Sequence, residues 1–238
     1  LIGRSIRFIF AGGVSLRDTL EQMALIGVAS LPIVIITVTF SGAVLSLYMS
    51  QIIVKWGLGS YTGGVVGLSV AREMGPVLTA VVVAARCGSS IAAELGTMKV
   101  TEQIDALRAL AVSPIQYLVA PRLLAGVIML PVLAVFAVIV GVAGGYFVAI
   151  VNDVPAGGYI ASLRSQVLPY DIVMGLVKTV FFAVVIVVVG AQQGLKTTGG
   201  ATGVGKATTN SVVISIVLIY ILNFLLAYVM FGGRTAFL

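Results

Sequence analysis

Val127-Ile-Met-Leu-Pro-Val-Leu-Ala-Val-Phe-Ala-Val-Ile-Val-Gly-Val-Ala-Gly-Gly-Tyr-Phe-Val-Ala-Ile150 contains no charged side chain. It is the larger part of an apolar run from about Leu118 to Ile150, with Pro131, that as a helix crosses ~30 Å of hydrocarbon. Four similar runs surround it. They are roughly Met23 to Met49, with Pro32 and Gly42; Gly63 to Leu95; Ile172 to Gln192, with Lys178; and Val212 to Phe231, with Asn223. Hydrophobic residues make up 60% of the 238 and charged residues 9%, and the mean hydropathy is +1.17. Those values lie far outside soluble globular usage and define a polytopic membrane protein.

The expected fold is all-α: an N-terminal interfacial helix and about five transmembrane helices, with a cytoplasmic coupling helix between the second and third apolar runs. Residues 1–238 read as a single membrane domain, divided into an interfacial helix (1–22), the first two apolar runs (23–95), a charged segment (96–117) and the last three spans (118–232). Segment 1–22 mixes Arg4, Arg7 and Arg17 with Ile2, Ile6, Phe8, Ile9 and Phe10, which suits a helix lying on a lipid surface. Pro32 and Gly42 leave the first run open to being kinked, broken or re-entrant. The Gly63–Leu95 run is too long for one straight crossing and holds Arg72, Glu73 and Arg86, so part of it is expected outside the apolar core or shielded by neighbouring helices.

The net charge is +6, and in a membrane protein it is read through its distribution over the connections rather than as an affinity for nucleic acid. Arg4, Arg7, Arg17, Lys99, Arg108, Arg122, Lys196 and Lys206 fall on one side, against Lys55, Arg164 and Arg234 on the other. The positive-inside rule therefore puts the N-terminus, the 96–122 segment and the 195–207 loop in the cytoplasm, and the C-terminus outside. The absence of His excludes imidazole acid/base chemistry and His metal sites, and the single Cys87 excludes an intrachain disulfide. Cys87, in a run of small residues, reads as a packing residue rather than a reactive thiol. The sequence begins at Leu1 and shows no cleavable leader, so insertion is expected to rely on the spans.

Small residues recur at close-packing spacing in Gly63/Gly67, Gly141/Gly145 and the cluster from Ala80 to Ala93, as expected where helix backbones approach in lipid. No repeat of fixed period stands out. The segment from Thr101 to Val112 is helical by pattern. Ile104, Leu107, Leu110 and Ala111 form an apolar stripe, and Glu102, Asp105 and Arg108 follow at spacings of three. It ends at Ser113-Pro114, since proline disfavours helix at the preceding residue. Glu94-Leu-Gly96, an acid beside a glycine at the end of a span, suits a bend that delivers this helix onto a partner surface. Arg72, Glu73, Arg86 and Lys178 admit two readings: a polar lining for a headgroup path, or structural ion pairs and snorkelling side chains.

Arg72-Glu-Met-Gly-Pro-Val-Leu-Thr79, Ala92-Ala-Glu-Leu-Gly-Thr-Met98, Thr101-Glu-Gln-Ile-Asp-Ala-Leu-Arg108, Pro121-Arg-Leu-Leu124 and Thr198-Gly-Gly-Ala-Thr-Gly-Val-Gly-Lys-Ala-Thr-Thr209 occur in this order. Together they resemble the MlaE (YrbE) family of ABC transporter permeases from about residue 15 to 232. The resemblance implies a membrane-embedded N-terminal helix and five spans, two permease copies with two ATPase subunits and a ring of MCE-domain lipid-binding proteins, and movement of phospholipid or another hydrophobic molecule between membranes. It implies that lipid binds between the two copies, and that Glu94, Gly96, Asp105 and Arg108 form the ATPase-coupling motif, to which the charge row adds Glu102. ATP and Mg would bind the partner ATPase, so this chain is expected to be no enzyme and to hold no cofactor or metal. A bacterial inner membrane or a plastid inner envelope is the implied location. Asn223 stands where many members carry an acid, and reads more simply as an interhelical hydrogen-bonding residue.

Gly200-Ala-Thr-Gly-Val-Gly-Lys206 imitates a phosphate-binding loop, but Ala207 replaces the magnesium-ligating hydroxyl and a membrane span precedes it in place of a strand. A flexible cytoplasmic turn is expected there, with Lys196 and Lys206 meeting the partner ATPase or anionic headgroups. Two rival functions stay open: an ion-gradient-driven secondary transporter, for which Lys178 is the best titratable candidate, and a non-transporting scaffold.

Overall fold

A computed structural model describes Gly3 and residues 15–232; the rest of the expected interfacial helix, and Arg234, lie outside the described residues. Among the described residues every regular element is helical. The first, α1 (Leu16–Met23), starts at Ser15, whose hydroxyl accepts the Asp18 N–H at 3.4 Å, with the Asp18 acid in the first turn. Its exposed face carries Leu16 and Leu20, the arrangement of a helix lying in a lipid interface.

A π-helical turn (Ala24–Val28) and a break at Ala29–Ser30 follow, after which α2 (Leu31–Lys55) runs unbroken for 25 residues. Pro32 is thus the second residue of a helix, where a missing N–H costs little, and Gly42 interrupts nothing. At ~1.5 Å per residue α2 is long enough to cross the hydrocarbon.

The second run becomes a 42-residue helical stretch from Gly59 to Val100. It consists of a 3₁₀ turn and α3 (Thr62–Ser69), α4 (Gly75–Val83) and α5 (Ser89–Val100), joined by π-helical turns at Val70–Met74 and Ala84–Gly88. At about 63 Å it exceeds the ~30 Å hydrocarbon layer twofold, which explains how it tolerates charges. The short α6 (Gln103–Ala109) leads through a π turn at Ile115–Val119 to α7 (Ala120–Val151). The chain ends in α8 (Ala156–Gln166), α9 (Pro169–Leu195) and α10 (Gly200–Phe231). Among the described residues five helical stretches are long and apolar enough to cross a membrane: 16–55, 59–100, 115–151, 169–195 and 200–231.

Three expectations need correction. Glu94-Leu-Gly96 holds no bend, because α5 continues through it to Val100 and the chain turns only at Glu102. Gly200–Lys206 is not a flexible turn but the first two turns of α10; the connection is confined to residues 196–199, with left-handed backbone at Gly199 and Gly200 (φ 84° and 67°). Glycine content lowers helix propensity, but continuity with the long apolar helix that follows outweighs it. The Thr101–Val112 helix shortens to seven residues, because Glu102 and Ala111 both adopt left-handed backbone (φ 61° and 60°) and stop it at each end.

The chain divides into two compact units, residues 1–30, 80–130 and 180–238 in one, and 31–79 and 131–179 in the other. In the second, α2 meets α7 at glycine: a Cβ on Gly42 would collide with the Gly141 carbonyl, and Ser46 Oγ donates to the Gly145 carbonyl at 2.7 Å. Tyr159 of α8 is buried against Ala149 and Val154. Its ring stands edge-on to Tyr146 at 5.4 Å and burial pushes its phenol up to about 12. In the first unit α5, α9 and α10 approach through Gly88, whose carbonyl accepts Ser211 Oγ at 3.0 Å and leaves no room for a side chain on Gly190. Cys87 is buried, its sulfur 3.5 Å from Ser30 Oγ.

Candidate functional site: a charged lever and buried ion pairs

The left-handed turn at Glu102 reverses the chain after α5, its backbone N–H bonding the Lys99 carbonyl and its own carbonyl accepting from Asp105 and Ala106 N–H. That turn throws Ile104 back onto the spans. Ile104 is fully buried in a cluster with Ile91 and Leu95 of α5, Leu118, Val119 and Leu123 at the start of the third stretch, and Val187 and Ala191 of α9; Leu107 packs at its edge. Leu110, expected on the same stripe, is 74% exposed because the helix has ended before it.

The opposite face carries the charges. Asp105 takes Lys99 Nζ on Oδ2 at 2.8 Å and Arg108 Nη1 on Oδ1 at 2.9 Å. The Lys99 hydrogen bond, reinforced by both positive charges, holds the Asp105 carboxyl below the usual carboxylate range. The Glu102 side chain is exposed, and its structural part is the turn.

Glu94 lies at the root of this segment. Its Oε2 accepts Arg122 Nη2 at 2.7 Å and its Oε1 accepts Ser90 Oγ at 3.0 Å. Arg122 is 9% exposed, also donates to the Leu118 carbonyl, and leaves its Nε buried without a partner among the described residues. Gly96 sits against Thr197, whose Oγ1 would lie 3.0 Å from a Cβ there. Charged and hydrophobic anchors together tie the 96–117 segment to the spans on either side of it.

The other charged residues sort differently. Lys178 Nζ, fully buried, donates to Glu73 Oε1 at 2.7 Å and to the Arg72 carbonyl at 3.0 Å. Arg72 binds Asp171 Oδ1 through Nη2 at 2.9 Å and Nε at 3.0 Å, and Asp171 is fully buried. Arg86 joins no ion pair among the described residues: its Nη1 donates to the Leu25 carbonyl and Ser30 Oγ at 3.0 and 3.2 Å. Lys196 and Lys206 are exposed.

Asp171 and the structural part of Arg122 escaped the sequence reading. Asp171 did carry a local signal. It is the third residue of a helix that begins with Pro169, and its Oδ2 reaches back to the Leu168 N–H at 2.9 Å, as an acid at that position of a helix start does. Its pairing with Arg72, 99 residues away, had none. Among the described residues there is no group of three His, Cys, Asp or Glu that could hold a metal ion.

Five apolar helical stretches, with a short charged helix docked against them, define an all-α integral membrane protein. The model of the family described as Permease MlaE matches residues 19–229, and the chain belongs to that family. It is 42% identical over 234 residues to a probable ABC transporter permease protein of Synechocystis sp., covering 98% of this chain and 89% of that one. A probable ABC transporter permease protein of Rickettsia prowazekii is 43% identical over 213 residues, 89% and 82% of the two chains. The chloroplastic protein TRIGALACTOSYLDIACYLGLYCEROL 1 of Arabidopsis thaliana is 39% identical over 237 residues, 98% and 67%. The chain is thus an ABC transporter permease, with relatives in bacteria and a chloroplast that fit an inner membrane or a plastid envelope.

Proposed function

We propose that this permease moves phospholipid or a related hydrophobic molecule between membranes, driven by a separate ATPase through the 96–117 segment. The whole chain acts as one permease domain, paired with a second copy and joined to an MCE-domain lipid-binding protein. ATP and Mg bind on the ATPase. A relative named for a galactolipid supports a lipid cargo. The observation that carries the mechanism is Ile104: a helix presenting Asp105 and Arg108 to solvent, with Lys99 of α5 bridging to it, is keyed by one buried side chain into a cluster shared by three spans. Closure of the ATPase pair pressing on the charged face would shift that cluster, and with it the helices that bound the lipid cavity. The Glu94–Arg122 bridge resists slippage at the root of the lever.

The test is reconstitution in vesicles with the partner ATPase. ATP-dependent lipid transfer is expected with the partner and none without it, and the purified chain alone is expected to hydrolyse no ATP. Glu94→Ala and Asp105→Ala should each lower ATP-driven transfer severalfold while membrane insertion stays normal. Unchanged transfer in both removes them from the mechanism. Gradient-driven transfer without ATP would favour the ion-coupled rival, and no transfer under any condition would favour a scaffold.

A further inference from the structure

A cavity of about 160 Å³ opens in the first compact unit between the π-helical turn Ala24–Val28, with Leu25 and Ile26, and the chain from the π-helical turn Ala84–Gly88 into α5, with Arg86, Ser90 and Glu94. At ~30 Å³ of liquid volume per water it holds about five waters' worth of space, the scale of a polar headgroup and far too little for acyl chains. π-Helical turns are uncommon and frequent at functional sites, and here one supplies Leu25 and Ile26 and another supplies Arg86, with Ser90 and Glu94 following on α5. The break at Ala29–Ser30 is the reason Arg86 is fixed there. Ala29 N–H bonds the Ala24 carbonyl and Ser30 N–H the Gly27 carbonyl, and the Leu25 carbonyl accepts Arg86 Nη1. The guanidinium is thus tethered through one nitrogen, and its Nε and Nη2 have no partner among the described residues. Glu94, which lines the cavity, accepts Ser90 Oγ on Oε1 and Arg122 Nη2 on Oε2, and each carboxylate oxygen keeps a second acceptor site.

We infer that this cavity binds the zwitterionic headgroup of an amine-bearing phospholipid, the phosphate on the Arg86 guanidinium and the ammonium at Glu94, with Leu25 and Ile26 against the glycerol region. One cation and one anion line the same small space. A bare anion would meet the Glu94 carboxylate, a bare cation would meet Arg86, and a molecule carrying both charges satisfies each. The guanidinium fork suits phosphate geometry. The inference rests on the reading of lipid as cargo and adds the headgroup class. It also places a bound headgroup on the residue that holds Arg122 at the root of the lever.

The test is native mass spectrometry of the delipidated chain in mild detergent, titrated with short-chain phosphatidylethanolamine, short-chain phosphatidylglycerol, and inorganic phosphate as competitor. One retained phosphatidylethanolamine per chain is expected, with phosphatidylglycerol at least tenfold weaker. Arg86→Gln should cut retention of phosphatidylethanolamine about tenfold and Arg86→Lys should restore most of it. Since Arg86→Gln also loses the tether to Leu25, Ser90→Leu serves as a second variant: it fills the cavity, leaves that tether in place, and should lower retention similarly. Wild-type retention in Arg86→Gln or in Ser90→Leu overturns the site. Equal retention of both lipids, or displacement of phosphatidylethanolamine by millimolar phosphate, overturns the headgroup assignment in favour of a simple anion site. Vesicle transfer with the ATPase, measured in parallel, separates the two levels: transfer without headgroup retention sinks this site alone, and no transfer at all sinks the lipid reading beneath it.

Discussion

The two charged regions of this permease use the same chemistry in opposite surroundings. Asp105 is shared by Lys99 and Arg108 at the surface, where water screens each partner and a broken pair is resolvated cheaply. Asp171 and Lys178 are fully buried, each with a partner brought by the second helical stretch. There a lost partner leaves a charge that nothing replaces. Exposed pairs can therefore rearrange when a partner protein presses on them, whereas buried pairs fix helix register and stay.

Arg72→Ala is the most severe way to break this contrast. It leaves the fully buried Asp171 carboxylate without its guanidinium partner, and is expected to cost about 3–5 kcal/mol, read as a large drop in thermal unfolding temperature in detergent. A loss below about 1 kcal/mol would place Asp171 with the surface network. Ile104→Ala comes next, at about 2–3 kcal/mol for the cavity left in the cluster. It should also uncouple ATP-driven transfer while the five spans remain helical by circular dichroism. Coupling that survives would mean the charged face alone transmits the motion.

Glu102→Gly sharpens the comparison from the other direction. Glycine relieves a left-handed residue that costs ~1–2 kcal/mol, offset in part by the freer unfolded chain, so a gain of about 0.5–1 kcal/mol is expected where Glu102→Ala gives none. Destabilisation by glycine would assign the Glu102 side chain a structural contact. The smallest effect is that of pH on Asp105. Its folded carboxyl titrates below its unfolded one, so the stability it contributes is complete above the ordinary aspartate value of ~3.9 and is lost as pH falls from there through the lower folded value. Unfolding temperatures of wild type and Asp105→Asn should therefore converge in that acid range and in high salt, and differ at neutral pH.

Legibility in the sequence followed the range of the interaction. The five spans could be read because hydropathy acts within a turn or two of chain, whereas the start of α1 at Ser15 and Asp18 was set by a cap the basic and apolar mix of 1–22 did not locate. Ile104 could be placed on the inner face of a helix by its spacing from Leu107, but the ends of that helix could not, because Glu102 and Ala111 are residues whose left-handed backbone no composition signals. The glycines at 203 and 205 looked like a loop and are helix, since the apolar run beyond them carries the helix back through weak propensity.

The amino-acid order by itself determined that this chain lives in a membrane, how many times its helices can cross, and which family it resembles, because burial of backbone in lipid forces helices of a set length and leaves little else to choose. Which charge meets which was decided only by tertiary structure. Arg72 with Asp171, Lys178 with Glu73 and Arg122 with Glu94 join helices far apart in the chain, and an ion pair inside a bundle depends on where packing sets two side chains within about 3 Å of each other.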